Sequence, residues 1–160
     1  MASIIGVETL QHTNGTTAAT IDSSGRVSTP ARPSFKAYAD DGWIGISGNT
    51  DTVFAFDHTE HNVGSHYSTG TKKFTCPVDG LYVFTAQAYI NQTTDAETRI
   101  VIKRVNNTAK NLSFVNWQKL DHDQTVAASV HYYATAGDEI QAVLFTVSYT
   151  HLTLPTILRV

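Results

Sequence analysis

Hydrophobic and polar residues alternate through a long stretch that starts at Gly80. One side of this stretch carries aromatic and small apolar residues, namely Tyr82, Phe84, Ala86, Ala88 and Ile90. The other side carries Leu81, Val83, Thr85, Gln87 and Tyr89. A period of two with aromatic and β-branched residues predicts a β-strand that begins after the Asp79-Gly80 turn. Because neither side is strongly polar, we expect both faces of the strand to be covered, as in a central strand.

Shorter runs predict strands through the rest of the chain. They lie at residues 7–10, 18–21, 34–38, 43–46, 52–56, 98–104, 112–117, 126–134 and 140–145. Residues 57–71, which contain three histidines, are predicted to form a loop. Turn pairs such as Asn14-Gly15 separate the runs, and no stretch has helical periodicity. Many short strands with regular turn signals predict an all-β fold, either a sandwich or a barrel.

The chain divides at two prolines into parts of different composition. Residues 1–33 are small, polar and rich in threonine, with too few large apolar residues for a core of their own. We predict that they form a short β-rich stalk or linker that a neighbour or another copy covers. Pro30 and Pro33 mark the boundary. Residues 34–146 are predicted to form one globular domain, because a hydrophobic content of 41% is enough for a core.

The charge and hydrophobicity of the chain exclude two classes of partner. The formal net charge is -3, and no more than two Lys or Arg residues are adjacent, so no nucleic-acid surface is expected. No segment approaches the roughly 20 apolar residues that a membrane span needs, so no membrane insertion is expected. The first residues lack the basic region and apolar run of a secretory signal. We therefore expect the protein to be made in a cytoplasm.

A set of spaced residues resembles a known family. The main pattern consists of Phe56, Asn62, Tyr67, Phe74, Gly80, Tyr82 and Phe84. A second element, the Gly137-Asp138 turn, follows it further along the chain. This pattern is similar to that of the complement C1q globular head, in the C1q/TNF-like superfamily. Position 86, where the family usually has an aromatic residue, is Ala86. The resemblance implies a jelly-roll β-sandwich of two packed sheets with roughly ten strands.

The resemblance also implies a homotrimer. In the superfamily, aromatic residues on strands near the three-fold axis close the trimer. The candidates for that interface here are Tyr82, Phe84, Tyr132 and Phe145. Ordinary packing inside one chain is the alternative role, and for Tyr82 and Phe84 both roles stay open.

Three histidines, His58, His61 and His66, share a segment with Asp57 and Glu60. Imidazole and carboxylate groups are suitable ligands for divalent transition metals, so one interpretation is a metal site. The other interpretation is a solvated polar segment. Because structural zinc spacing is absent and no thiolate joins the set, we predict no metal site.

The sequence contains no recognisable catalytic motif. It has no Gly-x-Ser-x-Gly elbow, no His-Glu-x-x-His and no phosphate-binding loop, so we do not expect an enzyme or a cofactor. The single cysteine, Cys76, is predicted to be a buried side chain, since Thr75 and Pro77 bring no base. Some members of the family bind calcium, but the acidic residues at 40–41 and 121–123 do not fit a calcium loop.

Residues 147–160 differ from the rest in another way. The run from Val147 to Thr156 can be back-translated in one frame into the reverse complement of a transposase mosaic end joined to a sequencing adapter. We therefore expect this tail not to belong to the natural protein. On this interpretation the last strand of the family, usually an apolar segment with Phe-Ser-Gly, is missing from the domain.

Two hypotheses about function follow. The run Asp22-Ser-Ser-Gly-Arg-Val27 resembles lead-in segments of bacteriophage virion proteins. The first hypothesis is a non-enzymatic trimeric module of a virion or tail fibre, made in the host cytoplasm. It would contact other virion proteins and a host-surface glycan or protein. The alternative is a secreted, extracellular recognition protein of cytokine or lectin type, from a bacterium or a eukaryote.

Overall fold

The computed structural model describes residues 6–39, 48–90, 96–113, 118–120 and 124–148. Within these residues the backbone forms fourteen strands and no helix, so none of them belongs to a helix that could cross a membrane. The strands are β1 (Thr9–Gln11), β2 (Thr17–Ile21), β3 (Val27–Ser28), β4 (Ser34–Tyr38), β5 (Asp51–Val53), β6 (His58–Val63), β7 (Tyr67–Ser68), β8 (Lys73–Thr75), β9 (Gly80–Ile90), β10 (Ala96–Arg104), β11 (Lys110–Asn111), β12 (Gln118–Leu120), β13 (Gln124–Ala134) and β14 (Glu139–Ser148). The predicted all-β class is confirmed.

The N-terminal segment is a separate three-stranded meander, β1-β2-β3, with antiparallel pairing throughout. Asp22 shapes the second turn, because its Oδ1 accepts hydrogen bonds from the backbone N–H groups of Ser24, at 2.8 Å, and Arg26, at 3.0 Å. Leu10 and Val27 are both exposed on this sheet. The two short strands predicted in this segment are confirmed, with bounds shifted by one or two residues.

The remaining strands form a two-layer sandwich. One layer is a sheet of seven strands with the order β11-β10-β14-β8-β7, in which β12 also pairs with β10 and β5 with β14. The other layer consists of two antiparallel pairs, β13-β9 and β4-β6. Apolar side chains from β9, β10, β13 and β14 meet in a single core between the layers, and the most deeply buried include Ile100, Ile102, Phe74 and Leu144. The jelly-roll sandwich is thus the fold of the domain.

The alternating stretch forms β9, as predicted, and pairs with β13 from Gly80 opposite Ala134 to Ile90 opposite Gln124. The even-numbered side chains point into the core, where Phe84 is 7% exposed. The odd-numbered side chains point outward and are largely exposed. The expectation that both faces are covered is therefore wrong for a single chain, since no described element packs on the outer face.

The prediction of a loop at residues 57–71 is wrong. This segment forms β6 and β7, and β6 pairs with β4 so that Asn62 lies opposite Phe35. The composition of β6 is polar because half of its side chains are exposed and the other half are only partly buried, and a polar surface strand has no apolar alternation by which to recognise it.

Two other predicted strands differ from the structure, and a third cannot be compared with it. The strand predicted at 52–56 ends at Val53, after which Phe54 and Phe56 stack with ring centroids 5.0 Å apart. At 112–117, Ser113 lies outside any strand, and its hydroxyl accepts the N–H of Ile102 at 3.0 Å. Residues 114–117 lie outside the described residues, as does the strand predicted at 43–46.

The last described strand continues beyond the boundary predicted at residue 146. Val147 and Ser148 belong to β14 and lie opposite Glu97 and Ala96 of β10. The rest of the predicted non-native tail, residues 149–160, lies outside the described residues.

Candidate functional site

Asn62 and Tyr67, two residues of the predicted pattern, close the turn between β6 and β7. Asn62 donates from Nδ2 to the carbonyl of Tyr67 at 2.8 Å and accepts the Tyr67 N–H at 3.1 Å. The turn between them places Gly64 and Ser65 in the left-handed region, at φ of 77° and 57°. The Tyr67 hydroxyl donates to the carbonyl of Phe56 at 2.8 Å, and burial, with the charge of Asp57, raises the pKa of Tyr67 to about 12. These residues hold the backbone and leave no reactive group free.

An aromatic cluster links the two layers of the sandwich. Phe74, which is 2% exposed, stacks on Phe35 with centroids 4.7 Å apart and meets the edge of Phe84 at 5.7 Å. Tyr82 stacks on Phe84 at 5.9 Å and donates its hydroxyl to the carbonyl of Val78 at 3.0 Å. Three residues of the predicted pattern therefore form one packed unit beside the start of β9.

The Gly137-Asp138 turn carries a buried carboxylate. Gly137 has φ of +88°, a conformation that favours glycine. The Asp138 carboxylate accepts hydrogen bonds from the Tyr132 hydroxyl at 2.7 Å and the Thr135 N–H at 3.1 Å, and Arg104 Nη1 lies 3.7 Å away. Burial raises the pKa of Asp138, but these donors and the positive charge outweigh it, so that the pKa lies below its ordinary value.

Cys76 lies directly after β8 and is fully buried, as predicted. Burial, with a smaller contribution from the charge of Asp138, raises the pKa of the thiol to about 12. The backbone of Cys76 also holds the turn, since its N–H donates to the Asp138 carbonyl at 2.8 Å and its carbonyl accepts the Gly137 N–H at 2.7 Å. A buried, protonated thiol of this kind is a packing residue.

The three histidines are distributed along β6 and the turn that follows it. His58 stacks on Tyr38 with centroids 5.6 Å apart, and His66 meets the edge of Phe74 at 6.2 Å. Between them on β6, Glu60 pairs with Lys36 of β4. In the part of the chain that the structure describes, no three His, Cys, Asp or Glu side chains form a group that could hold a metal ion. The acidic residues at 40–41 and 121–123 lie outside that part.

The surface with the clearest capacity for an interaction is the outer face of the β9–β13 pair. Tyr133 lies directly opposite Leu81, and His131 lies opposite Val83. Leu81 is 69% exposed, Val83 59% and Tyr133 70%. We call these four residues the outer face. Three large apolar side chains side by side on a rigid sheet form the kind of patch that marks an interaction surface.

The predicted interface residues lie elsewhere. Tyr82, Phe84 and Tyr132 face inward, and Phe145, half-buried on β14, lies 4.7 Å from the guanidinium of Arg99, measured to the ring centroid. The structure does not bring these four aromatics together on one surface. The outer face lies on the same strands but on the opposite side. The signal for it was present in the sequence, because the odd-numbered residues of β9 include Leu81 and Val83.

The fold and the outer face together define a class of protein, a two-layer β-sandwich that offers an uncovered sheet and no assembled catalytic group among the described residues. The sequence of residues 44–150 matches the C1q domain family, and this match covers more than half of the chain. The chain belongs to the C1q domain family. C1q domains are non-catalytic recognition and structural modules that typically form trimers. No curated protein matches the chain.

Proposed function

We propose that this chain is a homotrimeric, non-enzymatic binding and structural module of a virion or tail fibre. The observation that carries the proposal is the outer face, where the exposed Leu81, Val83 and Tyr133 lie side by side and form one apolar patch. Tyrosine is enriched at protein interfaces, because its ring supplies apolar area while its hydroxyl stays hydrated. A trimer contact on this face would remove the patch from water.

A trimeric head has a consequence for recognition. Three copies of a weak site can bind a repetitive surface together, so avidity supplies the strength that a single site lacks. We expect the contact to be with a host-surface glycan or protein, made by the loops at the outer end of the head. This arrangement suits a fibre tip, which meets many identical molecules on a cell.

The proposed place in a virion is supported by the N-terminal meander. Its Asp22–Arg26 turn resembles the lead-in segments of phage virion proteins, and its exposed Leu10 and Val27 would be covered by other virion proteins or by other copies of the stalk. The genes that flank the coding sequence test this placement. Tail or capsid genes on both sides are the expected result, whereas secretion or complement-like genes would favour a secreted recognition protein instead.

Sedimentation velocity tests the trimer. A chain in which a family-like terminal strand replaces residues 147–160 should sediment as a trimer at micromolar concentration, and Tyr133→Glu should shift this repaired chain to monomer, because a buried carboxylate without a partner is costly. Val53→Glu is the matched control, since Val53 is also an exposed apolar residue but lies on the other layer. The proposal is refuted if the repaired chain is monomeric at this concentration, or if Tyr133→Glu and Val53→Glu dissociate it equally.

We further propose that residues 147–160 are translated adapter and not part of the natural protein. The support is the agreement in one reading frame between the run 147–156 and a transposase end. Sequencing the same locus from a library made without transposase tests it directly. A read that still encodes Val147 to Val160 in frame would show that the tail is genuine protein.

A further inference from the structure

His131 is the member of the outer face that can change its charge near neutral pH. It is exposed, and it lies among five side chains on the outward side of the strand pair, none of which is Asp, Glu, Lys or Arg. They are Val83 directly opposite, Leu81 and Thr85 on the diagonals, and Tyr133 and Ser129 along its own strand. A protonated imidazole at this position therefore has water as its partner and no neighbouring carboxylate on the face.

The lack of charge extends along the whole outward side of the β9–β13 pair. That side consists of the odd-numbered residues from 81 to 89 and from 125 to 133, and all of them are exposed. None is Asp, Glu, Lys or Arg, and the titratable groups besides His131 are the phenols of Tyr89 and Tyr133. A second copy that places the same side against this one brings no carboxylate to His131.

The charged groups closest to His131 along the two strands are engaged elsewhere. Asp79 precedes β9, four residues before Val83 and about 13 Å from it at strand spacing, and its Oδ1 accepts the N–H of Ala136 at 2.7 Å. Asp138 and Arg104 bind the hydroxyl of Tyr132, which faces inward, on the opposite side of β13 from His131. Among the described residues, no charged group thus compensates a proton on His131.

The two protonation states of His131 differ in what they cost when the outer face is covered. In a separate chain, water solvates the imidazole in either state. In the proposed trimer, on which this inference rests, the outer faces of three copies converge on the symmetry axis and exclude that water. A buried charge without a partner of opposite sign is costly, and symmetry adds two more copies of the same charge. Neutral imidazole carries neither cost.

We propose that His131 makes the trimer dissociate in acid, because separate chains bind a proton there that the trimer excludes. Mass action then favours separate chains as the pH falls through the range in which imidazole becomes protonated. In the acid part of that range, each further pH unit favours dissociation by up to about tenfold per copy, or about a thousandfold for three copies. Since three linked sites bind a repetitive surface together only in the trimer, acid would also weaken binding by avidity.

The test follows the dissociation of the repaired chain at pH 7.5 and at pH 5.5. Sedimentation velocity over a series of protein concentrations gives the dissociation constant of the trimer at each pH. We expect this constant to be about a hundredfold or more larger at pH 5.5, since up to three protons are bound when one trimer dissociates. Circular dichroism at both pH values should show the same β-structure, because the core of each sandwich lies inside one chain.

Variants of the repaired chain assign the response to one histidine. His131→Gln keeps a polar side chain without the titration, so its dissociation constant should change less than about threefold between the two pH values. His61→Gln is the matched control, since His61 is exposed on β6, outside the pair, and it should keep the full response. His131→Lys carries its charge at both pH values and should dissociate at pH 7.5 as the repaired chain does at pH 5.5.

The possible results separate this proposal from that of the trimer. A repaired chain that is monomeric at pH 7.5 refutes the trimer and this proposal with it. A trimer that is equally stable at both pH values refutes only the role of His131. That role is also refuted if His131→Gln responds to pH as the repaired chain does, or if acid removes the β-structure as the trimer dissociates.

Discussion

Replacing Phe74 by alanine should cause one of the largest losses of stability that a single change in this domain can produce. Phe74 is 2% exposed, and its ring contacts Phe35 in a stack and meets the edges of Tyr82 and Phe84 at 6.0 and 5.7 Å. The ring therefore connects β4, β8 and β9, which belong to three separate sheets. Its removal would leave a cavity where these sheets meet.

The size of the effect follows from these contacts. A buried Phe→Ala change costs about 3–5 kcal/mol, and the upper half of that range is expected here because aromatic pairs add about 0.5–1.5 kcal/mol beyond burial. A domain of this kind has a total stability of about 5–15 kcal/mol, so the variant loses about a quarter of it or more. Tyr82→Ala should lose less, about 2 kcal/mol, because Tyr82 is only partly buried.

Urea unfolding at one fixed protein concentration measures these losses, since an oligomer's stability depends on concentration. With a slope of about 2 kcal/mol per molar urea, the midpoint of Phe74→Ala should fall by about 2 M. Val78→Ala, at an exposed position, should change the stability by less than about 0.5 kcal/mol. A loss below about 1 kcal/mol for Phe74→Ala would refute the argument that this ring joins the sheets.

Further predictions concern titratable groups. The pKa of Asp138 is lowered in the folded state, so its contribution to stability is present above the ordinary value of 3.8 and is lost as the pH falls below it. Denaturant melts should therefore show a lower free energy of unfolding for Asp138→Asn than for wild type at neutral pH, and this difference should narrow in acid. A difference in unfolding free energy that stays constant with pH would contradict the lowered pKa of Asp138. The Cys76 thiol, with a pKa of about 12, should react with a thiol reagent at pH 8 only after unfolding, and rapid labelling of folded protein would contradict its burial. Protein purified without added ions should carry no stoichiometric metal, and metal that is lost when two of His58, His61 and His66 are changed to Ala would show a site there.

The sequence alone was sufficient to predict the class of fold and the phase of its main strand. The alternation after Gly80 correctly placed Phe84 in the core, because a strand has a period of two and the larger apolar set must face inward. The Gly137-Asp138 turn could also be recognised, since glycine tolerates the left-handed conformation that Gly137 adopts, whereas Gly80 is the first residue of β9. The strand β6 could not be recognised, because none of its side chains is fully buried, so no apolar alternation marks it, and the backbone ladder to β4 holds it in place.

The location of the candidate interfaces depended on the tertiary structure. The sequence indicated that Leu81 and Val83 share one side of a strand, but the pairing with β13 was needed to place Tyr133 beside Leu81. Alternation determines which residues share one face of a strand, whereas only the pairing of distant strands decides which side chains of two strands lie beside each other.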